Sequence, residues 1–221
     1  MPKRLSRPGT AAGLNLASAA VNVTSIVWSL HRNGPKCLGL YSDLAAIFGG
    51  AVSLAYARHL LRGDSGLIAE DREKDSRVFR RLRFASVCAQ TLVTGLSVVA
   101  TDPVFEIPLD LKAPHLILMH FVGPGLSYLS FFGPERDRTL KFPDTLWGYY
   151  FTLAYTAIAI PLAASGIADI KAYPFLNYSP GHRLKAVLMD AAILTVAYLD
   201  DVVVWRLSRS DRDPIDSDVK P

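Results

Sequence analysis

The chain has 221 residues, of which 50% are hydrophobic and 20% are charged, and its formal net charge is +4. Its mean hydropathy is +0.23, which is high for a soluble domain of this length and favours membrane-spanning helices. The basic balance is then typical of cytoplasmic loops, so no nucleic-acid partner is expected. No cluster of Cys and His has zinc-ligand spacing and no phosphate-binding glycine loop is present, so neither a metal nor a cofactor is predicted.

Six apolar segments follow one another along the chain, and each has about the 20 residues that a helix needs to cross about 30 Å of hydrocarbon. They predict an all-α, polytopic membrane protein with a single six-helix domain over residues 1–210. The remaining residues, 211–221, have the composition of a disordered tail. The predicted segments are Ala11–Leu30, Leu38–Leu61, Leu82–Thr101, Pro114–Phe132, Thr145–Ser165 and Leu184–Trp205.

The distribution of Lys and Arg predicts the orientation. With six spans, seventeen basic residues fall on the side of the two termini and six fall on the opposite side. The positive-inside rule therefore places both termini in the cytoplasm. The first segment could instead be a cleaved signal peptide, but its weakly cleavage-like "ASA" at 17–19 lies inside the apolar run rather than after it. An uncleaved first helix is the favoured interpretation.

Three of the predicted helices carry polar residues at offsets of three and four, which places each set on one helix face. Such faces turn toward the interior of a helix bundle, where they can form hydrogen bonds and pack closely. Helix packing alone explains most of these residues. The sets are Asn15, Ser18, Asn22, Ser25 and Ser29 in the first helix, Gln90, Thr94, Ser97 and Thr101 in the third, and Tyr149, Thr152 and Thr156 in the fifth.

Ionisable residues inside the spans need a separate reason, because charge is costly in hydrocarbon. Ser42, Asp43, His120 and Asp190 each lie about four to six residues from the outer end of their helix. The predicted topology therefore places them in one layer, about 6–10 Å below the outer surface. A hydroxyl, an imidazole and a carboxylate at one level suit nucleophilic acyl transfer, in which histidine removes the hydroxyl proton.

The alternatives for these residues stay open. Serine is common as a packing residue in membrane helices, and a buried histidine can simply bond a neighbouring helix. Asp43 and Asp190 compete for the third catalytic position. Gln90 and Thr94 are candidates for binding the substrate, as donors to its oxyanion.

Two further carboxylates, Asp200 and Asp201, lie near the inner end of the sixth segment. At that level they are predicted to pair with Arg58 or Arg206. A structural role is therefore the favoured interpretation for both of them.

Five short motifs occur in the order found in one known family. They are "LYSDLAA" around Ser42, "VTGL" at Val93–Leu96, "LMHFVGPGL" around His120, "FGP" at Phe132–Pro134 and "YPFLN" at Tyr173–Asn177. In this order the chain resembles the androgen-induced protein family of six-span membrane proteins. Animal members hydrolyse fatty-acid esters of hydroxy fatty acids with a membrane-embedded threonine and a histidine.

The resemblance implies that Ser42 and His120 stand at these two catalytic positions. Two features depart from the family pattern. Serine replaces the threonine, which keeps the hydroxyl, and Ala45 and Ala46 replace a polar Ser-Asn pair.

The sequence thus predicts an integral membrane hydrolase that acts on a lipid ester. The membrane would be a bacterial inner membrane, or a eukaryotic endomembrane or plasma membrane, and the oligomeric state is left open. The alternative is a non-catalytic transporter or channel whose polar helix faces line a pathway. A membrane scaffold without catalytic residues is a third interpretation.

Overall fold

The computed structural model describes residues 8–62, 69–100, 113–136, 139–165 and 176–209. Within these ranges the regular secondary structure is helical and contains no strand, which confirms the predicted all-α class. The tail predicted for residues 211–221 lies outside the described residues. The described residues form six long helices: α1 Pro8–Asn33, α2 Tyr41–Arg62, α3 Ala69–Ala100, α4 Pro114–Phe132, α5 Thr145–Ala164 and α6 Arg183–Arg209.

Four of these helices are long and apolar enough to cross a membrane, by length and composition, among the described residues. They correspond to the ranges Gly9–Gly39, Tyr41–Leu61, Pro114–Phe132 and Phe142–Ala164. The composition of these helices fits the predicted membrane location. Helices α3 and α6 fall outside this group, and both are richer in charge: α3 begins with an acidic and basic stretch, and α6 carries three aspartates.

Glycine and proline mark the boundaries of the helices. Gly34 has a φ of 66°, a left-handed conformation that favours glycine, and with Pro35 it ends α1. Pro114 begins α4, where a missing backbone N–H is harmless. Gly181, with a φ of 90°, precedes α6.

The helices pack on both sides of α3. On one side, α1 packs along α2, and α4 packs against α1 and α3. On the other side, α5 and α6 pack against each other and against α3. Hydrogen bonds also join the two sides: the Tyr41 hydroxyl and the Thr152 hydroxyl lie 2.9 Å apart.

The facing sides of α1 to α4 enclose a set of buried polar side chains, called here the polar interior. All five polar residues of the predicted α1 stripe are buried, and so are Gln90 and Ser97 of the α3 stripe, which confirms that these faces turn inward. The polar interior consists of Asn15, Ser18, Asn22, Ser25, Ser29, Asp43, Ser53, Arg83, Ser86, Gln90, Ser97, His115, His120, Ser127 and Ser130.

Candidate functional site

His120 lies at the centre of a π-helical segment, Leu118–Val122, within α4. The backbone N–H of Gly123 donates to the Leu118 carbonyl, which is the i to i−5 bond of a π-turn. Pro124 explains this widening, because its ring would collide with the carbonyl four residues earlier in a regular α-helix. That carbonyl belongs to His120. Short π-segments within α-helices occur frequently at functional sites.

The His120 carbonyl receives a hydrogen bond from another helix instead. Pro124 has no N–H to donate, and the Thr94 hydroxyl of α3 donates to this carbonyl at 2.7 Å. The same hydroxyl lies 3.1 Å from the Gln90 carbonyl. Thr94 was predicted to bind substrate. In the structure its single hydroxyl proton is directed at backbone carbonyls, so Thr94 positions α4.

The imidazole of His120 is anchored through one ring nitrogen. Its Nδ1 lies 2.9 Å from the Leu116 carbonyl, and because a carbonyl only accepts, Nδ1 carries the proton. In a neutral ring Nε2 is then the unprotonated nitrogen, with a lone pair to accept a proton. The side chain is buried, with 5% of its surface exposed. This tautomer and this burial suit a general base.

Asn22 of α1 contacts both α2 and α4, which gives the relative depth of residues on these two helices. A Cβ on Gly50 would lie 3.2 Å from the Asn22 Cβ, and one on Gly123 would lie 2.8 Å from its Oδ1, so these glycines share a level. Four residues before each glycine, Ala46 and Met119 pack in one cluster. The two helices therefore run in the same direction.

Counting back eight residues from each glycine places Ser42 level with His115. His115 is buried, and its ring centroid lies 6.0 Å from that of Trp28. The Cα of His120 lies five residues further along α4 than His115, which is about 7 Å deeper in the bundle. The ring of His120 bonds through Nδ1 to the Leu116 carbonyl of its own helix.

Asp43 belongs to the same outer level as Ser42. It is 2% exposed and lies beside the Ser29 hydroxyl and the Cys37 thiol. One of its oxygens, Oδ1, has no hydrogen-bond partner among the described residues. Ser29 is the last residue of the polar stripe of α1, so the outer end of this stripe contacts the Asp43 carboxylate of α2.

Asp190 lies elsewhere, near the outer end of the bundle. The Tyr178 hydroxyl donates to its carboxylate, and burial together with this carboxylate raises the pKa of Tyr178. Asp190 is flanked by Met189 and Ile193, which pack against the cluster formed by Ala159 of α5 and Leu176. Ala159 is two turns beyond Thr152, the partner of Tyr41, so Asp190 lies about 10 Å outward of Ser42.

The expected single layer of reactive groups is therefore corrected. The structure places Asp190 outermost, then Ser42 and Asp43, then His120. The prediction assumed that all helices begin at one depth, but α6 begins about 19 Å, or between three and four turns, further out than α2 does.

Gln90 lies deepest of the predicted site residues. Its side chain is 2% exposed and packs so closely on α2 that a Cβ on Gly49 would lie 1.7 Å from its Nε2. Neither Nε2 nor Oε1 has a hydrogen-bond partner among the described residues. Gly49 follows Ser42 by seven residues, which places Gln90 about 10 Å below Ser42.

An ion pair that the sequence analysis did not identify closes the inner end of the polar interior. Arg83 Nε donates to Glu135 Oε2 at 2.9 Å, and each side chain is 2% exposed. Asn15 and Ser130 donate to Oε1 of the same Glu135, and Arg83 also donates to the Ser127 carbonyl at 3.1 Å. Arg83 continues the periodicity of the α3 stripe toward its start, which is the signal that would have placed it inside.

Asp200 and Asp201 do not form the predicted ion pairs with Arg58 or Arg206 in the described part of the chain. Asp201 is buried against α5, where a Cβ on Gly148 would lie 2.6 Å from its Oδ1, and it lies beside the Cys88 thiol. Both aspartates have an oxygen without a hydrogen-bond partner among the described residues.

Among the described residues, no group of three or more His, Cys, Asp or Glu side chains has the arrangement of a metal site. Comparison of the chain with family models, with curated proteins and with solved structures finds no match.

Proposed function

We propose that the chain is an integral membrane protein in which α3 and α6 span the bilayer together with the four more apolar helices. Its termini then lie in the cytoplasm, as the excess of basic residues on that side indicates. The charges of α6 support this topology, because Asp190 and Asp201 are buried within the bundle rather than facing lipid.

Within this topology, the proposed activity is hydrolysis of a lipid ester with Ser42 as the nucleophile and His120 as the base. The observation that carries it is the anchored, buried imidazole of His120, whose Nε2 is the unprotonated nitrogen. Ser42 lies on the same face of α2 as Ala46 and Gly49, which contact Met119 and Gln90 in the interior. The resemblance to the androgen-induced protein family supports the same pair.

In the proposed reaction, a lipid ester enters from the outer leaflet and the Ser42 Oγ attacks its carbonyl carbon. Nε2 of His120 takes the hydroxyl proton through one bridging water, which spans the difference in depth. The alcohol leaves with that proton, and an acyl-serine remains. A second water then attacks the acyl carbon, and the imidazole takes a proton from it. As the bond from the acyl carbon to Ser42 Oγ breaks, the imidazolium returns this proton to Oγ and the fatty acid is released. Asp43 is the proposed acidic group of this outer level, and Gln90 is the proposed amide donor deeper in the site.

Labelling of the full-length protein with a lipid-like fluorophosphonate, together with ester hydrolysis in detergent, tests this proposal. Ser42→Ala abolishes both signals, and His120→Ala lowers the hydrolysis rate by at least about 100-fold. Ser42→Thr keeps the hydroxyl and retains activity. Ser25→Ala is the matched control, because Ser25 is a buried serine that bonds its own helix at the Asn22 carbonyl.

His115→Ala is the discriminating variant, since His115 lies level with Ser42. A larger loss in His115→Ala than in His120→Ala would transfer the role of base to His115. Labelling that survives both Ser42→Ala and His120→Ala would exclude the proposed active site.

The second candidate function is transport through the polar interior. It is favoured by the buried Arg83–Glu135 pair and by the amide atoms of Asn15, Asn22 and Gln90 that have no partner among the described residues. Flux of protons or small polar solutes into proteoliposomes tests it. Flux that is abolished by Gln90→Leu, in protein that shows no ester hydrolysis, would favour transport over the hydrolase.

A further inference from the structure

An apolar groove lies between α3 and α6, on the side of α3 that faces away from the polar interior. It encloses about 820 Å³. Its walls are formed by Thr91, Gly95 and Leu96 of α3 and by Leu188, Ala192 and Val196 of α6. This volume lies within the range of about 300–1,000 Å³ that is usual for small-molecule sites.

Small residues keep the groove open. A Cβ on Gly95 would meet no atom within 4 Å, so the absence of its side chain contributes directly to the space. Glycine is unfavourable in the middle of a helix compared with alanine or leucine. The space in the groove therefore depends on Gly95, a residue that is unfavourable at this position in a helix.

The two ends of the groove carry opposite charges. Lys185 lies at the outer end and Asp200 at the inner end. Fifteen residues of α6 separate them, which corresponds to about 22 Å along the helix. The groove is thus long, and it is apolar between its two charged ends.

Lys185 lies at the outer opening, and its ammonium group has no partner among the described residues. Its neighbours are engaged: Arg183 Nε donates to the Tyr178 carbonyl at 3.2 Å, and the His182 ring lies 3.3 Å from the Ser179 hydroxyl. No hydrogen bond or ion pair of the Lys185 ammonium group occurs within the described ranges. An ammonium group at this position attracts an anion, and its aliphatic stem can lie along the apolar wall.

We propose that the groove binds a single-chain lipid carboxylate, that is, a free fatty acid. The carboxylate pairs with Lys185, and the alkyl chain extends inward between Gly95 and Ala192. Asp200 repels a carboxylate at the inner end, so the two charges fix the direction in which the ligand lies. A single lysine suits a monovalent carboxylate, whereas phosphate sites more often combine several basic side chains. This binding does not depend on the proposed hydrolysis.

Photocrosslinking of the full-length protein in phosphatidylcholine nanodiscs tests the proposal. The probe is palmitate with a diazirine near the end of its chain. Because the diazirine lies near the end of the chain, crosslinks are expected at the inner end of the groove, near Thr91 and Val196. Unlabelled palmitate removes them, whereas methyl palmitate, which lacks the charge, does not.

Two variants act on the two parts of the groove. Gly95→Leu fills the space, and Lys185→Glu reverses the charge at its opening, and each weakens palmitate competition by about tenfold or more. The matched controls are Gly13→Leu, where a Cβ would also meet nothing within 4 Å, and Lys36→Glu, another exposed outer lysine. Both controls leave competition unchanged. Thermal unfolding of each variant confirms that it is folded.

Crosslinks spread over lipid-facing residues such as Val203, and unaffected by Gly95→Leu and Lys185→Glu, would show only the surrounding bilayer lipid. Displacement of the probe by phosphatidylglycerol more readily than by palmitate would identify a phospholipid site. Either result would overturn the proposal.

Discussion

The two faces of α3 contact different surroundings. One face carries Arg83, Ser86 and Gln90 into the polar interior, where the side chains are almost fully buried. The opposite face carries Leu92, Gly95 and Leu96 toward α5, α6 and the apolar groove. A single helix thus takes part in a hydrogen-bonded bundle on one side and in a more open, apolar contact on the other.

This difference shows what holds each side together. In a bilayer, apolar surfaces gain little by leaving lipid, so helices associate through close packing and hydrogen bonds between them. The polar interior uses both, with the Arg83–Glu135 pair at its inner end and the contacts of Asn22 with two glycines near its centre. The α6 side has fewer such bonds and retains a cavity, so we expect substitutions to cost more stability in the polar interior.

The largest loss of stability is expected from breaking the buried ion pair. Arg83→Met leaves the Glu135 carboxylate buried without its charged partner, and we expect the free energy of unfolding to fall by about 3–5 kcal/mol. Unfolding in mixed micelles with increasing SDS measures this change.

The double variant Arg83→Met with Glu135→Leu removes both charges, and so distinguishes the cost of an unpaired charge from the loss of the ion pair. Because it leaves no uncompensated charge, it should recover most of the lost stability. A double variant as unstable as Arg83→Met would show that the wider hydrogen-bond network, rather than the charge, is what the interior requires.

An intermediate effect is expected at the centre of the polar interior. Gly123→Ala places a Cβ 2.8 Å from Asn22 Oδ1 and 3.2 Å from the Leu118 carbonyl, and it also lies directly before Pro124. We expect a loss of about 1–3 kcal/mol in the same unfolding assay. Gly125→Ala, two residues away, meets nothing within 4 Å and should be neutral or slightly stabilising. Equal losses of stability for Gly123→Ala and Gly125→Ala would contradict the view that close packing against Asn22 makes position 123 more sensitive.

The smallest effect is expected at one of the hydrogen bonds that join the two sides of α3. Thr152→Val removes the hydroxyl that lies 2.9 Å from the Tyr41 hydroxyl, while it keeps the size of the side chain. Hydrogen bonds between membrane helices contribute about 0.6 kcal/mol on average, so the same assay should register a loss of that size. A loss as large as that of Arg83→Met would mean that the α5 and α6 side depends on polar contacts as strongly as the interior does.

Much of the fold could be predicted because the signals are local. Apolar length predicted six helices, and polar spacing predicted the buried face of α1, since both follow from helix geometry. The levels of the helices could not be predicted in the same way. They depend on which residues meet across helices, such as Gly50 and Gly123 against Asn22, and these contacts belong to pairs of helices rather than to any one segment.

The same distinction, between features set by one segment and features set by contacts between segments, applies to the candidate site. Burial of His120, Asp43 and Asp190 followed from their positions within apolar runs, and the structure bears this burial out. The partners were not predictable: Asp190 bonds Tyr178, which lies outside the helices, and Arg83 bonds Glu135 from a segment assigned to a loop. Arg83 was counted only among the basic residues on the side of the termini, whereas the fold buries it at the inner end of the bundle.

The hydrogen bond from Thr94 to the His120 carbonyl has a mechanical consequence. Pro124 leaves that carbonyl without its own helix's donor, so the position of His120 is set partly by α3. The next residue of α3, Gly95, lines the groove on the other side. Two adjacent residues of α3 therefore contact the His120 backbone and the separate groove. We expect a ligand that changes the width of the groove to alter the position of His120 as well.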